Sequence, residues 1–241
     1  MRYQGGKHRQ SKIVSNYVNM IKNTDHYCEP FCGALSVACR VDERFKLLLG
    51  DNNEALINMW KHLLSNNGCA LPHIGESEYE NLKILKDPKN WLTAYAGFGL
   101  SFGGKWFGGY ARGIGDYNGE LQRSIRKKVE LLSRKSSIDF VYCDCEDLVI
   151  NNKSVVYMDP PYEGRTKVGG FNRCDLNSFG LAEKLVGEGH TVLITEFREN
   201  ENFIPLHSFG DTVVRHHSQR TKGDGTTELL MCHHSQIGLF K

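Results

Sequence analysis

Several features are missing from this 241-residue sequence, and each absence excludes something. No apolar run approaches the length needed to cross a bilayer and no leader-like segment opens the chain, so no membrane span is expected and a cytoplasmic location is the expectation. The net charge is only +2, so no global field marks a binder of polyanions or membrane surfaces. None of the eight cysteines forms a C-x-x-C pair, which leaves reduced thiols as the economical reading. A zinc site built from Cys143, Cys145 and one of the doublets His216-His217 or His233-His234 lacks ligand spacing, so no metal is expected. Neither G-x-G-x-x-G nor G-x-x-x-x-G-K-[ST] occurs, so neither NAD nor ATP is favoured. There is no internal repeat and no low-complexity tract.

What is present alternates between strand and helix patterns. Ser11 to Lys22 reads as a short helix with Ile13, Tyr17, Met20 and Ile21 on one face and Ser11 as its cap. A strand through Tyr27 reaches the turn Glu29-Pro30-Phe31-Cys32-Gly33, and a helix is expected from about Leu35 to Phe45. Lys46 to Gly50 is a second strand, ending at Asp51-Asn52-Asn53 before a helix with Leu56, Ile57, Trp60, Leu63 and Leu64 at helical spacing. This is the start of a doubly wound α/β sheet. Between Cys69 and Ser137 the alternation lapses into helices near Ser77 to Lys86, Asn90 to Leu100 and Glu120 to Arg134, around a glycine-aromatic stretch, "GFGLSFGGKWFGGYARG". It resumes with strands at Ile138 to Cys143, Val155 to Met158 and Thr191 to Glu196 and a helix near Leu176 to Gly187. Asp211 to His217 and Thr226 to Cys232 then read as a closing hairpin, which puts an antiparallel strand at the sheet edge. Residues 1–68 and 135–241 form one domain on this reading, with 69–134 as an inserted lobe.

Asp159-Pro160-Pro161-Tyr162 carries the chemistry. The run Val155 to Met158 fits a buried parallel strand, and two prolines cannot continue its ladder, so the strand's carboxyl end becomes a stiff platform. An exocyclic amino group conjugated into a base is a poor nucleophile until its hydrogens are engaged. The Asp159 carboxylate and the Pro160 carbonyl would accept both N–H bonds, and the Tyr162 ring would stack on the base, which is worth about 1–3 kcal/mol. Glu29 to Gly33 is a strand-helix turn whose small residues let the backbone approach a nucleotide-like ligand, with Asp51 placed to grip ribose hydroxyls. Tyr3-Gln4-Gly5-Gly6-Lys7 sets an aromatic ring, a turn and a cation ahead of the first helix. Asp144, after the strand ending in Cys143-Asp144-Cys145, reads equally as an adenine contact or a helix cap. Basic residues crowd Lys105 to Lys135, as a solvated helix face or a docking surface. The loop from Glu163 to Phe179, basic and glycine-hinged, has the length of a lid.

In order as well as content, Y-x-G-G-K, E-P-F-x-G, an aspartate after the second strand, a variable region, D-P-P-Y and a final hairpin resemble the Dam-like, D12-class DNA adenine-N6 methyltransferases. The resemblance implies a Rossmann-like class I S-adenosylmethionine-dependent methyltransferase sheet, mainly parallel with an antiparallel edge strand, and an inserted target-recognition lobe. It implies S-adenosyl-L-methionine held by Tyr3, Gly6, Lys7, Glu29, Phe31, Gly33, Asp51, Asn52, Asp144, Cys145 and Asp159. Asp159, Pro160 and Tyr162 would act on a flipped adenine in double-stranded DNA, by direct displacement and without a metal. Lys105, Arg112, Arg126, Arg165, Lys167 and Arg173 are the expected phosphate contacts of a monomer or weak dimer acting at the nucleoid. Cytosine-N4 methylation uses the same amino-group chemistry, although Asp159 favours adenine; a nonenzymatic DNA-binding or cofactor-binding module on the same fold is the alternative of a different class.

Overall fold

The computed structural model describes residues 1–162, 176–211 and 227–240. Seven strands, β1 (His26–Glu29), β2 (Lys46–Asp51), β3 (Ser137–Tyr142), β4 (Val155–Met158), β5 (Thr191–Glu196), β6 (Phe203–Asp211) and β7 (Thr227–His233), form one sheet of order β3-β2-β1-β4-β5-β7-β6. β1 is parallel to β2 and β4, β2 to β3, and β4 to β5, whereas β7 runs antiparallel between β5 and the edge strand β6. This is the mainly parallel sheet with antiparallel pairing at one edge that the class I methyltransferase reading expects, the reversed strand being β7, next to the edge strand β6.

Successive side chains of a strand point to opposite faces, so a sheet covered on both sides needs two cores. On one face Tyr27, Leu47, Leu49, Val155, Tyr157, Leu193 and Leu230 pack under α1 (Ser11–Met20), α2 (Glu54–Ser65), α4 (Trp91–Gly99) and α5 (Tyr117–Leu132). On the other, Cys28, Val156, Met158, Val192, Ile194 and Met231 pack under α6 (Ser178–Gly187). All four residues of β4 and all six of β5 are buried, which is why both were legible as continuous apolar runs. The block from 69 to 134, including α3 (Glu76–Leu85), adds Tyr79, Tyr95, Phe98, Ile125 and Leu132 to the first core rather than building one of its own.

Three expectations change. Residues 35 to 45 form a series of turns and not a helix: Leu35 takes a left-handed backbone with φ of 56°, and the bonds that follow mix Arg40 N–H to Val37 O with Val41 N–H to Val37 O, so no regular i to i−4 ladder is established. In α1 the buried face is Ser11, Val14, Ser15 and Val18, with the expected Ile13 and Tyr17 half-buried, Met20 exposed and Ile21 buried just beyond the helix. Ser11 is the first helical residue and its hydroxyl donates to the His8 carbonyl at 2.9 Å instead of capping. The closing hairpin begins earlier, at Phe203, and residues 212–226 lie outside the described residues. α2, α4, α5 and α6 start where their caps stand, with Asn53, Asn90, Asp116 and Asn177 each accepting a backbone N–H from the first turn, whereas Gly75 ahead of α3 offers no side-chain cap.

Trp60 is the largest fully buried side chain, and its indole N–H donates to the Gly33 carbonyl at 3.0 Å, tying α2 to the turn after β1. Trp60→Ala is expected to cost about 3–5 kcal/mol of unfolding free energy in urea titrations. Trp60→Phe, which keeps most of the volume and loses the hydrogen bond, should cost clearly less.

Candidate active site

β1 and β4 are neighbours whose crossovers leave in opposite directions, toward β2 and β5, so their carboxyl ends flank the topological switch point of the sheet. Ligands of open α/β sheets bind at that crevice. The chain leaves β1 through Glu29 to Gly33 and leaves β4 through Asp159 to Tyr162.

The turn after β1 is set by backbone groups. Cys32 N–H donates to the Gly50 carbonyl at 2.8 Å. Gly33 N–H donates to Asp51 Oδ2 at 2.9 Å and Asn53 N–H to Asp51 Oδ1 at 3.0 Å, so one buried carboxylate joins this turn to the end of β2. Burial pushes the Asp51 carboxyl up to about 6 against the pull of those two donors, which leaves it ionised at neutral pH. Gly33 has φ of +46°, and a Cβ there would lie 3.2 Å from the Tyr3 ring. Gly104 performs the matching service from the other side: with φ of +68°, its Cα hydrogens face the Tyr3 backbone where a Cβ would sit 2.6 Å from the nitrogen, and its carbonyl accepts Gln4 N–H at 3.0 Å. Tyr3 is thereby sandwiched over the turn, 4.6 Å from the Phe98 ring, and a cavity of about 370 Å³ opens beside it, lined by Tyr3, Gly6, His8, Ala34 and Ser36 among others.

Of the remaining residues expected around a cofactor, Phe31 is half-buried against the second core. Asn52, Asp144 and Cys145 stand half-buried after β2 and β3, with Cys143 N–H donating to the Asp51 carbonyl at 3.3 Å. Glu29 turns inward: it is 3 % exposed and its Oε1 accepts the Tyr27 hydroxyl at 2.6 Å.

Lys7 stands with the Asp159 group. Its ammonium, 7 % exposed, lies 2.7 Å from Asp159 Oδ1, 3.0 Å from Glu228 Oε1 and 2.7 Å from the Tyr162 hydroxyl. Thr195 Oγ1 donates to the same Asp159 oxygen at 3.0 Å, and the Tyr162 hydroxyl sits 2.9 Å from it and 2.6 Å from Glu228 Oε1. All of these bonds to Asp159 fall on Oδ1. Burial raises the Asp159 carboxyl despite Lys7; burial alone would lower Lys7, but the two carboxylates outweigh it and hold the ammonium charged. The Tyr162 ring packs edge-on against Phe197 at 4.7 Å. Glu228, Thr195, Gln10 and Phe197 were not singled out from the sequence. Glu228 had a usable signal, an acid inside the otherwise apolar strand "TELLMC", since a buried carboxylate demands a cation.

The basic stretch divides by direction. Lys128 is buried with its ammonium on the Ala34 carbonyl, and Lys135 reaches the Val41 carbonyl. Arg112, Arg123 and Arg134 pair with Glu76, Asp116 and Glu130 at the surface. Lys105 and Arg126 are exposed, as is Lys127. Arg165, Lys167 and Arg173, and with them most of the proposed lid, lie outside the described residues. So does Cys174; the other seven cysteines are free. Among the described residues no helix is long and apolar enough to cross a membrane, and no group of three or more His, Cys, Asp or Glu side chains is placed to hold a metal.

Residues 3–94 match the profile of the D12 class N6 adenine-specific DNA methyltransferases. The match covers less than half of the chain. It holds Tyr3, Gly6, Lys7, the turn after β1 and Asp51, and it ends well before Asp159, so the D-P-P-Y segment and Glu228 stand outside it. No curated protein sequence matches the chain. Among solved structures it is similar to the rRNA methyltransferase aviRa from Streptomyces viridochromogenes, at 11 % identity and a TM-score of 0.45 over 96 % of this chain and 86 % of that one. A second aviRa structure gives 12 % and 0.44 over 99 % and 89 %. A conserved hypothetical protein from Streptococcus pyogenes gives 8 % and 0.41 over 93 % and 96 %. Likenesses this distant add nothing on substrate. Sheet order and the D12 match together support a nucleic-acid methyltransferase.

Glu29 supplies a pH test of the turn. Burial raises its carboxyl from about 4.5 to about 8, against the hydrogen bond from Tyr27. The folded protein then keeps a proton that the unfolded chain has released. This stabilisation is complete below about pH 4.5 and is lost as the pH rises to about 8. Between those limits wild-type stability should fall relative to Glu29→Gln, with a slope of at most about 1.4 kcal/mol per pH unit. Urea titrations across that range check it, and parallel curves for the two proteins would refute the assignment.

Proposed function

We propose that this chain transfers a methyl group from S-adenosyl-L-methionine to N6 of an adenine turned out of double-stranded DNA. The observation that carries the reading is Asp159 at the switch point: its described hydrogen bonds are gathered on Oδ1, so Oδ2 is the oxygen through which the residue can accept an amino hydrogen.

The residues on the cofactor side fit the group. Gly33, with no Cβ and a left-handed backbone, keeps the turn open beneath Tyr3, and Asp51 is an ionised acceptor suited to ribose hydroxyls. Tyr3, Gly6, Phe31, Gly33, Asp51 and Asn52 would hold it, with Asp144 and Cys145 toward its adenine. When bound, the cofactor supplies a methyl group activated by sulfonium sulfur. The chain's own part is alignment and hydrogen bonding: Asp159 Oδ2 and the Pro160 carbonyl accept the two amino hydrogens, which localises the nitrogen lone pair for in-line attack. Tyr162, a neutral phenol held there by burial and the neighbouring carboxylates, would offer its ring face to the extruded base. The block from 69 to 134 would dock the duplex through Lys105 and Arg126, and Arg112 would exchange Glu76 for phosphate.

Asp159→Ala is expected to lower methyl incorporation by about 10²–10³-fold or more while the chain stays folded, since Lys7 retains Glu228. DNA from an unmethylated host expressing the chain, read for N6-methyladenine and N4-methylcytosine in every context, should carry methyladenine confined to one short motif. Methylcytosine alone would replace the target base, and no modified base from soluble protein would favour a binding module. Lys105→Ala and Arg126→Ala should each weaken binding across DNA sequences and reduce the slope of log affinity against log salt by about one; unchanged slopes would exclude these contacts.

A further inference from the structure

Glu228 belongs to no motif of the sequence and lies outside the matched stretch, yet it is among the most constrained acids of the molecule. It is 2 % exposed, on a strand that enters the site from the reversed edge of the sheet. Both carboxylate oxygens are engaged. Oε1 faces the Lys7 ammonium at 3.0 Å and the Tyr162 hydroxyl at 2.6 Å, and Oε2 accepts Gln10 Nε2 at 2.7 Å. An ammonium has three hydrogens, and those of Lys7 are accounted for by Asp159 Oδ1, Glu228 Oε1 and the Tyr162 oxygen. The Tyr162 hydroxyl has one, and its shorter approach is to Glu228, 2.6 Å against 2.9 Å to Asp159.

This allocation decides what Asp159 has left. With Glu228 absent, one Lys7 hydrogen loses its acceptor, and a lysine that turned it to the other Asp159 oxygen would occupy the one an incoming amino group needs. We propose that Glu228 is a positioning residue for methyl transfer: by anchoring Lys7 and Tyr162 it keeps both of them off Asp159 Oδ2, the oxygen that meets the substrate amino group. The inference rests on the reading of Asp159 given above.

Two arms test it. In the first, urea unfolding of the wild type, Glu228→Gln, Lys7→Met and the double variant measures the anchoring without reference to activity. Lys7→Met strands two buried carboxylates and the double variant only one, so the double loss should be smaller than the sum of the single losses. A double variant that folds where Lys7→Met does not counts the same way; strict additivity would overturn the proposal. In the second, Glu228→Gln, which keeps shape and removes charge, should lower kcat about 10–100-fold with KM for the cofactor changed less than about twofold, and Glu228→Asp should recover part of the loss. A folded Glu228→Gln protein with wild-type kcat would overturn the positioning role while leaving the reaction intact, and it decides the matter if both Lys7 variants fail to fold. A wild-type chain that methylates no nucleic acid would instead refute the reaction, and the unfolding cycle then judges the anchoring alone.

Discussion

An ammonium enclosed between two carboxylates is the constraint around which this site is organised. Lys7 comes from the segment ahead of the first helix, Asp159 from the end of β4 and Glu228 from β7, so three remote parts of the chain meet through one cation. Withdrawing such groups from water costs several kcal/mol per ion, which mutual attraction repays only where geometry is good and the remaining donors and acceptors are satisfied. Here Gln10, Thr195 and Tyr162 close the cluster, and of its carboxylate oxygens only Asp159 Oδ2 is without a partner among the described residues. A buried ionic cluster is weak evidence for stability, and what it visibly does here is gather the described hydrogen bonds of Asp159 on one oxygen, Oδ1.

The sheet brings the cluster and the glycine turn together because β1 and β4 are adjacent where the winding reverses. The block from 69 to 134 then braces the turn from outside the sheet. Lys128 on α5 holds the Ala34 carbonyl, and the close approach at Gly104 seats Tyr3 over Gly33. Trp60 on α2 supplies the neighbouring contact, on the Gly33 carbonyl. A segment that interrupts the strand-helix alternation is therefore part of what shapes the cofactor side, and its exposed Lys105 and Arg126 are joined to that side by rigid packing.

Legibility followed the range of the interactions. β4 and β5 were readable to the residue because strands buried on both faces leave an uninterrupted apolar run. The start of α2 after Asn53 was readable, whereas α5 begins at Tyr117, three residues before the expected Glu120, because the Asp116 side chain caps it. Residues 35 to 45 misled because their apolar spacing suits a helix, whereas the positive φ of Leu35, forced by the tight exit from β1, is a backbone property that side-chain periodicity does not report. Lys7 was assigned to the cofactor because it neighbours Tyr3 and Gly6 in sequence; its pairing with Asp159 and Glu228 depends on the order of seven strands. Glu228 could be suspected of burial from its apolar strand, but its partners could not be named, because they follow from the place of β7 between β5 and β6.

The two halves of the site thus depend on different physics. On the proposed cofactor side the decisive contacts are single hydrogen bonds of fixed direction, made to the main chain of the turn after β1 by Asp51, Trp60 and Lys128. On the acceptor side the decisive quantity is how a few hydrogens are shared among Asp159, Tyr162, Lys7 and Glu228. Asp159-Pro160-Pro161-Tyr162 fixes where its carboxylate stands, because the prolines stiffen the exit from β4. It does not fix which carboxylate oxygen is occupied, since that depends on a cation and a second acid contributed from the two ends of the chain. A sequence could keep the four-residue motif and lose the geometry by altering β7 alone.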